Sequence, residues 1–208
     1  MIYEDDKFLI FFNECDKSYI KELINTIRDR MGKITRFFNI GFDKKTIIRL
    51  YDKVEPYKEV LEAEFKRQGS DRIYHEWMIA NTEDGCINML SLDLVHEIEG
   101  FENLSEKEFC LNACHEFVHL CQQQAKSLSP GWFWEALACK LGNPECQKET
   151  SEYFTYEDLE ERFDEIDGYG AAFKVANYLF DKYDNEFILE LVKDEGKLKK
   201  VMDEYFHR

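Results

Sequence analysis

The chain has 208 residues, 44% of them hydrophobic, with 17 Phe and 11 Tyr, which is enough apolar side chain to bury a core and excludes a disordered segment. Asp and Glu outnumber Lys and Arg by 43 to 27, a formal charge of −16, so a nucleic-acid backbone or an anionic membrane is an unfavourable partner. Seven cysteines without a C-x-x-C pair read as free thiols, and the N-terminal acids before a short apolar run are unlike a secretory signal, so a cytoplasmic setting is expected.

In chain order, Phe8–Asn13 reads as a short strand. Asp16 or Ser18 opens an amphipathic helix to about Phe38. Lys45–Asp52, with its β-branched residues, reads as a second strand, and Val54–Gln68 as a helix. Trp77–Asn81 and Cys86–Val95 read as strands joined by a turn at Glu83-Asp84-Gly85, where Asp-Gly is a hairpin signal. Cys86–Val95 is either an edge strand able to pair with an extended peptide or an ordinary sheet strand.

The second half changes character. Ser105 starts a helix, with Glu108 completing a capping box, and apolar periodicity runs on to about Ala125. Ser129-Pro130-Gly131 breaks the chain. Trp132–Leu141 is a short helix closed by Gly142 and Pro144. Thr155 and Asp158 cap a helix over Tyr156–Phe163, and Gly168-Tyr169-Gly170 reads as a turn. Ala171–Tyr183, Glu186–Lys193 and Gly196–Phe206 form a helical tail. The expected fold class is α+β, with an N-terminal mixed-sheet α/β lobe over residues 1–126, a helical lobe over residues 127–208, and a cleft between them.

Residues His115-Glu116-Phe117-Val118-His119 form H-E-x-x-H inside the capped helix. Four residues along a helix turn by about 40° and rise by about 6 Å, so both imidazoles project from one face and can reach one zinc ion. Glu116 lies about 100° around from His115, where its carboxylate approaches a metal-activated water as a general base instead of ligating the ion. The alternative is a satisfied polar cluster in the core.

A catalytic zinc takes three protein ligands and keeps one position open. Glu135 follows His119 on the next helix, which the Pro130-Gly131 break lets fold back. It sits among aromatic and small apolar residues where an unpaired carboxylate is costly. Asp164, Asp167 and Cys139 are the competing third ligands, and a partly exposed helical Glu is the bland alternative.

The H-E-x-x-H helix followed by Pro130-x-Trp132-x-x-Glu135-x-x-Ala138 resembles the gluzincin metallopeptidases, in particular the peptidase MA-like group. The likeness continues through Tyr156–Leu159 and Tyr169–Tyr183 and covers about Ser105 to Val192. It implies a zincin-like fold, one zinc per chain held by His115, His119 and Glu135, Glu116 as base, and peptide or protein substrates. Ala136 stands where the group has Gly. Cys139 stands where thermolysin-like relatives carry an Asp supporting a zinc histidine, so the groups behind the histidines must differ. Gly85-Cys86-Ile87-Asn88 lacks the Glu with which aminopeptidase relatives grip a free amine.

Tyr169 is a candidate phenol for an oxyanion, or else a turn residue packed on the third helix of this half. Trp132 and Trp134 either line a substrate pocket or pack between helices. Cys114 and Cys121 point off the ligand face, toward the core. His75 and His96 lack a second His four residues on and read as ordinary histidines. The expected function is zinc-dependent peptide hydrolysis. The alternative is a zinc-binding protein of the same fold with a binding or regulatory role.

Overall fold

A computed structural model describes residues 1–41, 43–67, 69 and 71–206. Among these, five strands and nine α-helices form a mixed α/β fold. The strands are β1 (Ile2–Glu4), β2 (Phe8–Phe11), β3 (Thr46–Tyr51), β4 (Ala80–Glu83) and β5 (Cys86–Leu90). The helices of the first half are α1 (Ile20–Phe37), preceded by a 3-10 turn over Cys15–Ser18, then α2 (Val54–Arg67) and α3 (Leu92–Val95). Gln68, expected at the end of α2, lies outside the described residues.

The sheet order is β1-β2-β3-β5-β4. The pairs β2/β3 and β3/β5 are parallel, and the outer pairs β1/β2 and β4/β5 are antiparallel. The mixed sheet expected from the sequence is therefore present. In β3, Thr46, Ile48 and Leu50 are buried and alternate with more exposed neighbours, as a strand covered mainly on one face requires. All five residues of β5 are buried, because it is an interior strand touched by both α2 and α4.

Several boundaries differ from expectation. The strand expected over Cys86–Val95 ends at Leu90, and Leu92–Val95 turns into α3. It is flanked on both sides, so the free edge on this side belongs to β4. β4 begins at Ala80 rather than Trp77, and β1 was not foreseen. The hairpin itself is as expected: Asp84 and Gly85 have φ of 46° and 74°, the left-handed pair that a tight two-residue turn demands.

The second half consists of α4 (Glu106–Gln124), α5 (Gly131–Gly142), α6 (Tyr156–Glu161), α7 (Gly168–Lys182), α8 (Asn185–Lys193) and α9 (Glu195–Phe206). Ser105 and Glu108 exchange both bonds of a capping box at the start of α4, a device worth about 1 kcal/mol. Thr155 and Asp158 do the same for α6, which ends at Glu161, short of Phe163. Gly168-Tyr169-Gly170 is the first turn of α7 instead of a separate turn. Asp167 caps it by accepting from the Gly170 N–H at 3.0 Å, which starts the helix earlier than Ala171.

Buried side chains of both halves join one core, with Phe109, Phe117, Phe133, Leu137 and Val175 all fully enclosed. The approach of α5 to α4 is close. A Cβ on Gly142 would lie 2.6 Å from the backbone N and Cα of His115, so only glycine lets the helices meet there. Among the described residues no helix is long and apolar enough to cross a membrane.

Candidate metal centre

His115 and His119 lie one turn apart on α4, and Glu135 comes from the facing side of α5. Their ligand atoms lie within 4.8 Å of one another. His115 Nε2 is 3.0 Å from Glu135 Oε2 and 3.1 Å from His119 Nε2, and His119 Nε2 is 3.5 Å from the same carboxylate oxygen. Among the described residues this is the group of three that fits a metal. Of the competitors for the third place, Asp167 caps α7, Asp164 stands in a neighbouring cavity, and Cys139 is fully buried with its thiol held protonated by burial and by Glu135.

The groups behind the histidines decide which nitrogens face the centre. Gln122 Oε1 lies 2.7 Å from His119 Nδ1, and the Gln122 amide nitrogen donates to the Trp134 carbonyl at 3.0 Å. That carbonyl only accepts, so the amide oxygen faces the imidazole and His119 donates from Nδ1. Asn143 Oδ1 stands behind His115 Nδ1 at 3.4 Å, with its amide on Asn112 Oδ1 at 3.3 Å. Both Nε2 atoms are thereby turned toward each other and toward a carboxylate.

Three such electron-pair donors converging in one place could hold a metal ion. Burial opposes charge on His119, but the Glu135 carboxylate outweighs it and pushes the imidazole up to about 9. Burial likewise acts to raise Glu135, yet the two histidines hold it far below the usual carboxylate range. The donor set, two imidazoles and one carboxylate with a free side, matches what zinc accepts.

Glu116 is 7% exposed and lies off this cluster. Thr82 on β4 holds it: the Thr82 hydroxyl lies 2.8 Å from Glu116 Oε2 and 2.9 Å from its backbone carbonyl. A cavity of about 400 Å³ reaches His115, Glu116, His119, Glu135, Trp134, Thr82 and Tyr169 together. Trp134 stacks on His119 with ring centroids 6.2 Å apart, whereas Trp132 is buried against Phe133 and Tyr156. Tyr169 is 37% exposed, its ring 6.4 Å from that of His115 and packed edge-on against Phe163. Burial of its hydroxyl, then the charges of Glu135 and Glu116, raise its pKa well above the ordinary value, so the phenol stays a donor.

The cavity continues around the free edge of β4 to a second pair of carboxylates. Successive β4 side chains point to opposite faces, so Thr82 meets α4 while Glu83 meets α2. Arg67 of α2 binds Glu83, Glu64 Oε2 at 2.6 Å and Asp84 Oδ1 at 2.9 Å. Burial, and then the neighbouring Glu64, raise Glu83 to about 7 despite Arg67.

The remaining candidates fall where the bland alternative put them. Cys114 and Cys121 are fully buried. His75 stacks on Trp77, and His96 Nε2 meets the Leu104 carbonyl at 2.8 Å. Thr82 and Asn143 carried no signal in the sequence, since each reaches the site through tertiary contact. Gln122 did carry one, because it lies three residues after His119 on the same helix face.

No protein-family model matches the chain, and no curated protein or solved structure matches it.

Proposed function

We propose that this chain is a zinc-dependent peptidase of the gluzincin kind, with a zincin-like α+β architecture and a cleft between residues 1–126 and 127–208. The convergence of His115 Nε2, His119 Nε2 and the Glu135 carboxylate, with both Nδ1 atoms turned outward, carries the proposal. A zinc ion held there supplies Lewis acidity and makes a nearby water acidic at about neutral pH.

The chain's own groups do the rest. Glu116, kept off the cluster by Thr82, takes the proton of the attacking water and returns it to the leaving amine nitrogen. Tyr169 keeps its phenolic proton and donates to the oxygen that gains charge at the scissile carbonyl. The free edge of β4 borders the cavity, and an extended peptide backbone adds there by strand pairing. Peptides or proteins are the proposed substrates, and the formal charge of −16 disfavours nucleic acids and anionic membranes.

A peptide library offered to zinc-loaded protein and to its Glu116→Gln variant tests this. The parent should cleave, and the variant should keep its zinc while losing about 10²- to 10⁴-fold in turnover, the share of a positioned base. A zinc-loaded parent that cleaves nothing would favour the alternative role, a zinc-binding protein without peptidase activity. Equal rates in parent and variant would remove Glu116 from the mechanism.

A further inference from the structure

Gln122 has no part in the chemistry proposed above, yet it touches both ligand-bearing helices. It is fully buried one turn beyond His119. Its oxygen accepts a hydrogen bond from the His119 Nδ1–H at 2.7 Å, and its amide nitrogen donates to the Trp134 carbonyl at 3.0 Å, on the residue immediately before Glu135. One side chain therefore fixes the tautomer of one ligand and the position of the segment carrying another. A carboxylate at this position would lose the donor to Trp134 and set two acceptors against each other, so the amide is the group that makes both bonds.

We infer that Gln122 is a positioning residue of the metal centre, a neutral amide that commits His119 to bind metal through Nε2 and locks α5 at the spacing the third ligand needs. The inference rests on the metal centre proposed above but not on peptidase activity. Groups that orient metal-binding histidines are worth about 10- to 100-fold in affinity, which sets the expected scale.

The experiment measures zinc affinity of the full chain by competition with a chelating dye, alongside ¹⁵N NMR of the histidine rings in the zinc-loaded protein. Gln122→Met, similar in volume and unable to make either bond, should bind zinc about 10- to 100-fold more weakly than the parent. Gln122→Glu keeps the acceptor toward His119 and loses the tie to Trp134. It should retain the Nδ1–H pattern of His119 and bind zinc more tightly than Gln122→Met, since a carboxylate behind a zinc histidine raises that ligand's basicity. If Gln122→Met does not fold, the Gln122→Glu comparison and the parent's own ring pattern still decide. Parent-like affinity in folded Gln122→Met, zinc on His119 Nδ1 in the parent, or a Gln122→Glu protein whose His119 ring no longer carries Nδ1–H overturns the inference while leaving the metal centre standing. A parent that takes up no zinc overturns the metal centre and this inference together. Absence of peptide cleavage touches neither.

Discussion

Glu135 on α5 and Glu83 on β4 line one cavity, and burial acts to raise the pKa of both, yet their protons are shifted in opposite directions. Glu135 has two imidazoles within 3.5 Å and stays ionised far below the usual range. Glu83 has a second carboxylate, Glu64, as its neighbour, and the Arg67 guanidinium that it binds also serves Glu64 and Asp84. The same side chain is thus a committed anion where nitrogen ligands converge and a proton carrier where carboxylates crowd. Burial alone predicts the direction at Glu83 but the wrong one at Glu135, where the partners reverse its sign.

Removing the anion from the first region should have the largest effect. Glu135→Ala leaves two imidazoles facing each other with one ligand fewer, and zinc affinity should fall by more than about 100-fold, beyond the loss expected for a group that only orients a ligand. Asp164→Asn serves as the control and should leave affinity at the parent value. If Glu135→Ala retained zinc and Asp164→Asn lost it, the ligand assignment would move to α6–α7. A smaller effect should follow from the contact that brings the two helices together. Gly142→Ala forces a methyl to within 2.6 Å of the His115 backbone, and α5 must withdraw. Overpacking of this kind costs about 1–3 kcal/mol, and zinc affinity should drop with it, since His115 and Glu135 are pulled apart. Chemical denaturation and dye competition read both changes. A variant as stable as the parent with unchanged affinity would show that the helices have slack at this crossing.

The two regions also differ in how far the sequence exposed them. The first is written in local signals: the Ser105–Glu108 box, the H-E-x-x-H spacing, and the Pro130-Gly131 break that lets Glu135 return to His115. The second depends on strand order. That β4 and not β5 is the free edge follows from β5 inserting beside β3, a long-range pairing that no window of sequence contains. Glu64 and Arg67 pair locally, three residues apart on α2, but Glu83 joins them only because of that order. Tyr169 lies in a helix instead of a turn for a local reason: two glycines signal a break, but Asp167 caps them into the first turn of α7.

The last prediction concerns the carboxylate pair and its dependence on pH. Glu83 is raised from 4.5 to about 7 in the folded chain. Between those values the folded state holds a proton that the unfolded chain has released. The stability this contributes is complete below about pH 4.5 and is lost as pH rises through about 7. Each pKa unit corresponds to about 1.4 kcal/mol, and sharing of the proton with Glu64 together with screening by solvent reduces the total to about 1–2 kcal/mol. Glu83→Gln removes this titration while keeping the size of the side chain. Its stability relative to the parent should therefore increase by about 1–2 kcal/mol between pH 4.5 and pH 7.5, whatever the offset from the weakened Arg67 pair. Urea denaturation of both proteins at several pH values measures the difference. A gap that stays constant across this window, or that narrows as pH rises, would mean that Arg67 satisfies Glu83 as fully as the histidines satisfy Glu135, and the contrast between the two regions would vanish.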